Sequence, residues 1–174
     1  MKKNDTKRIV ATALFIALVT VVTMFWFPTP GATGGYMHLG TLVLLVIALR
    51  FGKKYGLIAG AIGMTLSDIL TGAAVWAPGT FVVAGLIGYF AGWISESEQG
   101  QGKNLTKNIL AWVAALFIKV IGYYLYEAIF MTGFDVATIS VIGNLVQFAF
   151  ALIAIPVVQY SYKIDAFTRF AKDL

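Results

Sequence analysis

Six apolar runs, separated by turns of alternating character, set the pattern of this chain. They cover residues 9–27, 37–49, 55–71, 79–95, 109–131 and 136–160. A helix crossing the ~30 Å hydrocarbon core of a bilayer needs about 17–25 predominantly apolar residues. Five of the runs reach that length. The second, 37–49, is too short to cross squarely and predicts a short, tilted span whose outer end is sunk in the protein. Irregular backbone at membrane depth is tolerated only where protein covers it or where it lines a cavity. The intervening stretch 27–36 contains Pro28, Pro30, Gly31, Gly34 and Gly35 and predicts a loop, because such residues cannot continue a helix. Residues 96–107 form the long hydrophilic stretch and read as a flexible polar linker. Pro156 predicts a kink near the end of the sixth run. The amphipathic tail, 162–174, is expected at the membrane surface.

Composition sharpens this pattern. The chain has 174 residues, of which 59% are hydrophobic and 12% charged. Soluble domains carry about 25% charged residues, so there is too little polar side chain to coat a globule and the bilayer must be the solvent. A single all-α integral membrane domain over 1–174 is expected, with six transmembrane helices. The first run is longer than the apolar segment of a signal peptide and is followed by further spans, so it reads as an uncleaved first helix.

Charge gives the orientation. Lys2, Lys3, Lys7 and Arg8 precede the first run. Arg50, Lys53 and Lys54 lie between the second and third, Lys103 and Lys107 between the fourth and fifth, and Lys163, Arg169 and Lys172 after the sixth. The other three loops contain no lysine or arginine. The positive-inside rule then places both termini in the cytoplasm. The net charge of +5 is accounted for by these topology signals, and no nucleic-acid partner is implied. There are no cysteines and one histidine, which excludes disulfides and thiolate or polyhistidine metal sites.

Polar residues inside apolar runs carry the candidate chemistry. Lys119 sits mid-run, and an intramembrane charge is costly enough to suggest a function. Lys119, Tyr123 and Glu127 are spaced i, i+4, i+8 and form one stripe; the alternative is a structural ion pair between the two charges. Asp68 lies in the outer third of the third run, where it serves a site or bonds the neighbouring loop. Asn144 and Gln147 share a face of the sixth. Tyr36, His38 and Trp76 lie in or beside outer loops. Trp26, Trp93 and Trp112 fit an interfacial belt, whereas Trp76, between two short runs, is placed as a lid. Asp68, Glu127, Asn144, His38 and Trp76 fall in the outer half, the make-up of a small-molecule site. Gly56 and Gly60, like Gly88 and Gly92, have the small-x3-small spacing of close helix packing. No phosphate loop, zinc motif or nucleophile elbow is present, so the chain reads as a binding subunit, not an enzyme, that depends on a partner for energy.

The blocks Gly34-Gly-Tyr-Met-His-Leu-Gly40, Arg50-Phe-Gly-Lys-Lys-Tyr-Gly-Leu-Ile-Ala-Gly60, Ser67-Asp68 and Ala77-Pro-Gly-Thr-Phe81 resemble the substrate-binding S components of energy-coupling factor (ECF) transporters. The likeness spans nearly the whole chain and is greatest to the branch with riboflavin-, hydroxymethylpyrimidine- and pyridoxine-type members. It implies a multi-pass subunit of the bacterial cell membrane that captures a vitamin from outside. It implies partners too: a transmembrane coupling subunit (the T component) and two cytoplasmic ATPases, which consume the ATP. The S component is then expected to tip over in the membrane to release its cargo. The family's Ala-x3-Ala docking signature matches Ala13 and Ala17. The outer loops and outer halves of spans four to six would hold the ligand, which carries the site roles over to Tyr36, His38, Trp76, Glu127 and Asn144 by position.

Substrate chemistry follows from charge. The outer loops lack cations and contain Asp135, favouring neutral or cationic cargo. Aromatic residues suit a flat heteroaromatic ring, and Asn144 and Glu127 suit its nitrogens, amines or hydroxyls. A hydroxymethylpyrimidine or pyridoxine is preferred; riboflavin, thiamine and pantothenate remain alternatives. Rival readings are a membrane enzyme with Glu96 and Glu98 as metal ligands, and an assembly subunit without a ligand.

Overall fold

The computed structural model describes residues 3–28, 36–172 and 174. Helix α1, Lys3–Met24, leads into a two-stranded antiparallel ribbon. Strand β1, Trp26–Pro28, pairs with β2, Tyr36–His38, in the register Trp26 with His38 and Pro28 with Tyr36. Part of the expected loop is therefore a hairpin base. Helix α2, Gly40–Phe51, follows. Helix α3 covers 53–70 in three sections: Lys53–Ile58, a π-helical stretch Ala59–Met64, and Thr65–Leu70. Helices α4, Ala77–Ile94, and α5, Leu105–Phe130, are continuous. Helix α6, Phe134–Ser161, tightens into a 3-10 turn at Ala151–Ile153. Helix α7, Asp165–Lys172, closes the chain.

Among the described residues, four helices are long and apolar enough to cross a membrane: Asp5–Met24, Ala77–Ile94, Leu105–Phe130 and Phe134–Ser161. Their outward faces carry large apolar side chains such as Leu14, Phe81, Phe117 and Ile142, all more than half exposed. This is the surface that lipid covers in an all-α membrane protein. Helix α2 does the opposite. Leu44, Leu45, Ile47, Ala48 and Leu49 are at most 2% exposed, so it is enclosed by the other helices. An apolar run buried on every side shows no amphipathic stripe. At ~1.5 Å per residue it spans only ~18 Å, as its short run predicted.

Two helices wind irregularly. Within the π stretch, the Thr20 hydroxyl of α1 is placed to donate to the Gly63 carbonyl at 2.9 Å and to that of Ile16 at 2.8 Å. The Gly63 oxygen thus has a partner from another helix where α3 departs from regular winding. The 3-10 turn in α6 sits where Pro156 acts: its missing N–H and its ring both disturb the carbonyl of residue 152, four positions earlier.

The polar linker is held by hydrogen bonds. Its Gln101 amide nitrogen lies 2.9 Å from the Gly92 carbonyl and 3.2 Å from that of Leu49. Asn108 Nδ2 and Gln159 Nε2 donate to the Gly102 carbonyl at 2.8 and 3.0 Å. These bonds tie the linker to the carbonyls and side chains of the surrounding helices and plug the cationic end of the bundle. Glu96 pairs with Lys53 at 3.5 Å. The tail also packs inward: Phe167 and Phe170 meet Phe51 at centroid distances of 5.4 and 6.0 Å. Trp112 is half-buried, its ring 5.3 Å from that of fully buried Phe148.

Candidate functional site

The polar groups cluster at the end of the bundle opposite the linker. Asp68, in the last section of α3, is 4% exposed, and Lys119, mid-way along α5, is 2% exposed. The Asp68 carboxylate is the charged group whose field acts most on the Lys119 ammonium. Sequence spacing suggested Glu127 for that role, and the helix explains why it cannot play it. Eight residues along an α-helix are ~12 Å, far beyond ion-pair distance. No described carboxylate lies within 4.0 Å of Lys119. Its ammonium instead sits over the Tyr123 ring, 4.9 Å from the centroid, where the ring quadrupole attracts a cation.

Tyr123 joins this charged layer to an aromatic one. Its hydroxyl lies 3.3 Å from Thr80 Oγ1 of α4, and its ring meets the Trp76 ring edge-on at 6.2 Å. Trp76, at the start of α4, also meets Tyr126 at 6.1 Å. The Tyr126 hydroxyl donates to the Val75 carbonyl at 2.6 Å, holding the loop before α4. Gly79 makes room for this contact: a Cβ there would lie 2.5 Å from Tyr126 Cγ. Trp76 is therefore braced by two tyrosines of α5, which suits a wall or a lid better than a lipid anchor. Thr80 was not singled out from sequence. Its signal was its place within the Ala77-Pro-Gly-Thr-Phe81 block.

Glu127 is 1% exposed. Its Oε1 accepts from the Thr132 hydroxyl at 3.4 Å, and its Oε2 has no hydrogen-bond partner among the described residues. A buried carboxylate oxygen without a donor is costly, and it marks a place where a ligand N–H or O–H would bind well. Gln147 of α6 donates to the His38 carbonyl at 3.1 Å, fixing β2 against that helix. Asn144 is half-buried one turn before Gln147. The side chain of Tyr36 lies outside the described residues.

His38 accepts from the Gly40 backbone N–H through Nδ1 at 3.1 Å, which puts the proton of the neutral ring on Nε2. Burial, then the Lys119 charge, pushes its pKa down from 6.5 to about 3. The unfolded chain therefore takes up this proton first as pH falls. The stabilising contribution is complete above pH 6.5 and declines as pH drops from 6.5 towards 3. The thermal midpoint of wild type is expected to fall between pH 7 and pH 5, before carboxylates titrate, and that of His38→Gln to stay flat. Parallel slopes would show that His38 does not carry the pH dependence.

The family model for the ECF-type riboflavin transporter S component matches residues 3–163. The chain belongs to this family. It is 34% identical over 106 residues to a protein of Pyrococcus woesei described as an uncharacterized protein in the gap 3' region, covering 60% of this chain and 68% of the relative. It is 25% identical over 169 residues to a UPF0397 protein of Streptococcus sanguinis strain SK36, covering 87% of this chain and 93% of that protein. As an S component it is a multi-pass membrane subunit of a vitamin transporter, and the family is one of transport subunits, not enzymes. The S component exposes Ala13 and Ala17 on α1, while Ala11, Phe15 and Val19 on the opposite side pack into the core. Two alanines one turn apart leave a shallow strip that another helix can approach closely.

Proposed function

We propose that this S component captures a small, flat heteroaromatic vitamin or vitamin precursor, of the hydroxymethylpyrimidine or pyridoxine type. It does so on the side opposite the cationic loops and takes no part in ATP chemistry. In this reading the chain crosses the membrane six times with both termini in the cytoplasm. The short α2 and the three-part α3 are the two additional crossings. Ala13 and Ala17 dock on the T component, and two partner ATPases drive uptake.

The observation that carries the reading is one patch of buried and half-buried side chains. It runs from Asp68 and Lys119 through Tyr123 and Thr80 to the Trp76–Tyr126 pair, with the unpartnered Glu127 oxygen further along the same stripe of α5. Aromatic faces favour stacking on a flat ring. An ammonium, a hydroxyl and two carboxylates favour a ring bearing both acceptors and N–H or O–H donors. Two acids against one ammonium disfavour an anionic cargo. A riboflavin cargo is the second reading, favoured by the description of the matching family.

Thermal unfolding of the purified protein against a vitamin panel tests this. A ligand at a hundredfold excess over Kd adds about 2.7 kcal/mol to the folded state. A shift with hydroxymethylpyrimidine or pyridoxine supports the first reading, one with riboflavin alone supports the second, and no shift with any vitamin removes both. Trp76→Ala and Glu127→Gln should each weaken the responding ligand at least ~tenfold, about 1.4 kcal/mol. Unchanged affinity in both variants would move the site elsewhere.

A further inference from the structure

The opposite end of the bundle holds a second buried cation that vitamin capture does not use. Arg50, in the last turn of α2, is 6% exposed. Its Nε donates to Ser161 Oγ at 3.1 Å, and its guanidinium lies 4.0 Å from the centroid of the Tyr162 ring. These contacts hold the plane of the group. No described carboxylate pairs with it. The group borders a cavity of about 770 Å³, lined also by Gln101, Lys103, Gln159, Tyr162 and Thr168. Lys103 Nζ approaches the same ring that Arg50 covers, 5.6 Å from the Tyr162 centroid. Thr168 Oγ1, from α7, is buried and has no hydrogen-bond partner among the described residues.

A guanidinium that borders a cavity and pairs with no carboxylate is a ready partner for an anion. Its planar fork of N–H donors matches the oxygens of a phosphate. The lysine adds charge, the threonine adds a donor, and the volume is that of a small-molecule site. Lys53, Lys54 and Lys107 surround the same end of the bundle, the level at which headgroups lie if this end faces the cytoplasm. We propose that this cavity binds a phosphate group, carried by an anionic phospholipid headgroup or by a free phosphate, and that the bound anion braces α2 against α6 and α7.

The test uses the full chain in an uncharged detergent at constant ionic strength. Thermal midpoints are followed while titrating inorganic phosphate, phosphatidylglycerol or phosphatidylcholine. Phosphatidylglycerol is expected to stabilise wild type where phosphatidylcholine does not. A matching effect of inorganic phosphate would assign the site to the phosphate itself, and its absence to a lipid-borne one. Arg50→Gln and Thr168→Val should each raise the half-saturating concentration at least ~tenfold, whereas exposed Lys54→Gln should leave it unchanged. Should Arg50→Gln fail to fold, Thr168→Val and Lys103→Gln decide between the outcomes. No stabilisation by either anion would overturn the proposal, as would equal stabilisation of wild type and the cavity variants.

Discussion

Asp68→Asn and Lys119→Met should each destabilise the protein by about 1–3 kcal/mol, because each removes one of two buried, opposite charges that act on each other beyond contact distance. Each should also abolish vitamin-dependent stabilisation. The two residues are 4% and 2% exposed on different helices, and the carboxylate's field acts on the ammonium through a low-dielectric interior. The double variant separates structure from function. If the charges hold only each other, removing both restores most of the stability, with a coupling of about 1–3 kcal/mol. If they also contact the ligand, the double variant folds but does not bind. Unfolding midpoints with and without the responding vitamin read both properties. A double variant that binds normally would reduce Lys119 and Asp68 to packing partners, and additive losses would show that they do not interact.

The coupling of these two residues was the least legible part of the site. Spacing along a helix tells which side chains share a face, so the stripe Lys119, Tyr123, Glu127 could be read directly. It does not tell which other helix faces that stripe. Asp68 comes from α3, fifty-one positions earlier in the chain, and only the packing of α3 against α4, and of α4 against α5, makes it the acid that Lys119 senses. The same limit hid Thr80, whose hydroxyl matters because Tyr123 is opposite it. It also hid the contact of Trp112 with Phe148.

The helices themselves were easier, because a bilayer demands long apolar runs and each run became a helix or the greater part of one. What the runs could not show was irregular winding. The π stretch of α3 meets Thr20 of α1 at the Gly63 carbonyl, and the linker is tied down where Gln101 finds carbonyls of α2 and α4. Both are long-range hydrogen bonds that local pattern does not encode. The glycine spacing was the exception, a local pattern that did specify a tertiary contact.

That contact gives the prediction with the largest effect on folding. Gly88→Val should destabilise by about 4 kcal/mol or more, enough to prevent recovery of a monodisperse protein. At the crossing of α3 and α4, a Cβ on Gly88 would fall on the Gly56 carbonyl, and one on Gly56 would fall on that of Gly88. Gly60 faces the Ala84 carbonyl in the same way, and Gly92 faces the backbone of Lys53. The obstacle is backbone on both sides, so no rotamer change relieves it and the helices must separate. Separation reaches the core, because a Gly56 Cβ would also lie 2.8 Å from Ala48 Cβ of α2. It reaches the site as well, since α4 carries Trp76 and Thr80 at its other end. Gly72→Ala is the comparison. Gly72 has a φ of +83° and nothing within 4 Å of an added Cβ, so only the left-handed backbone penalty of about 1–2 kcal/mol applies. Elution profile and thermal midpoint in detergent distinguish the two. Equal behaviour of Gly88→Val and Gly72→Ala would mean that the crossing is looser than these backbone contacts require, and that α4 is not positioned by its glycines.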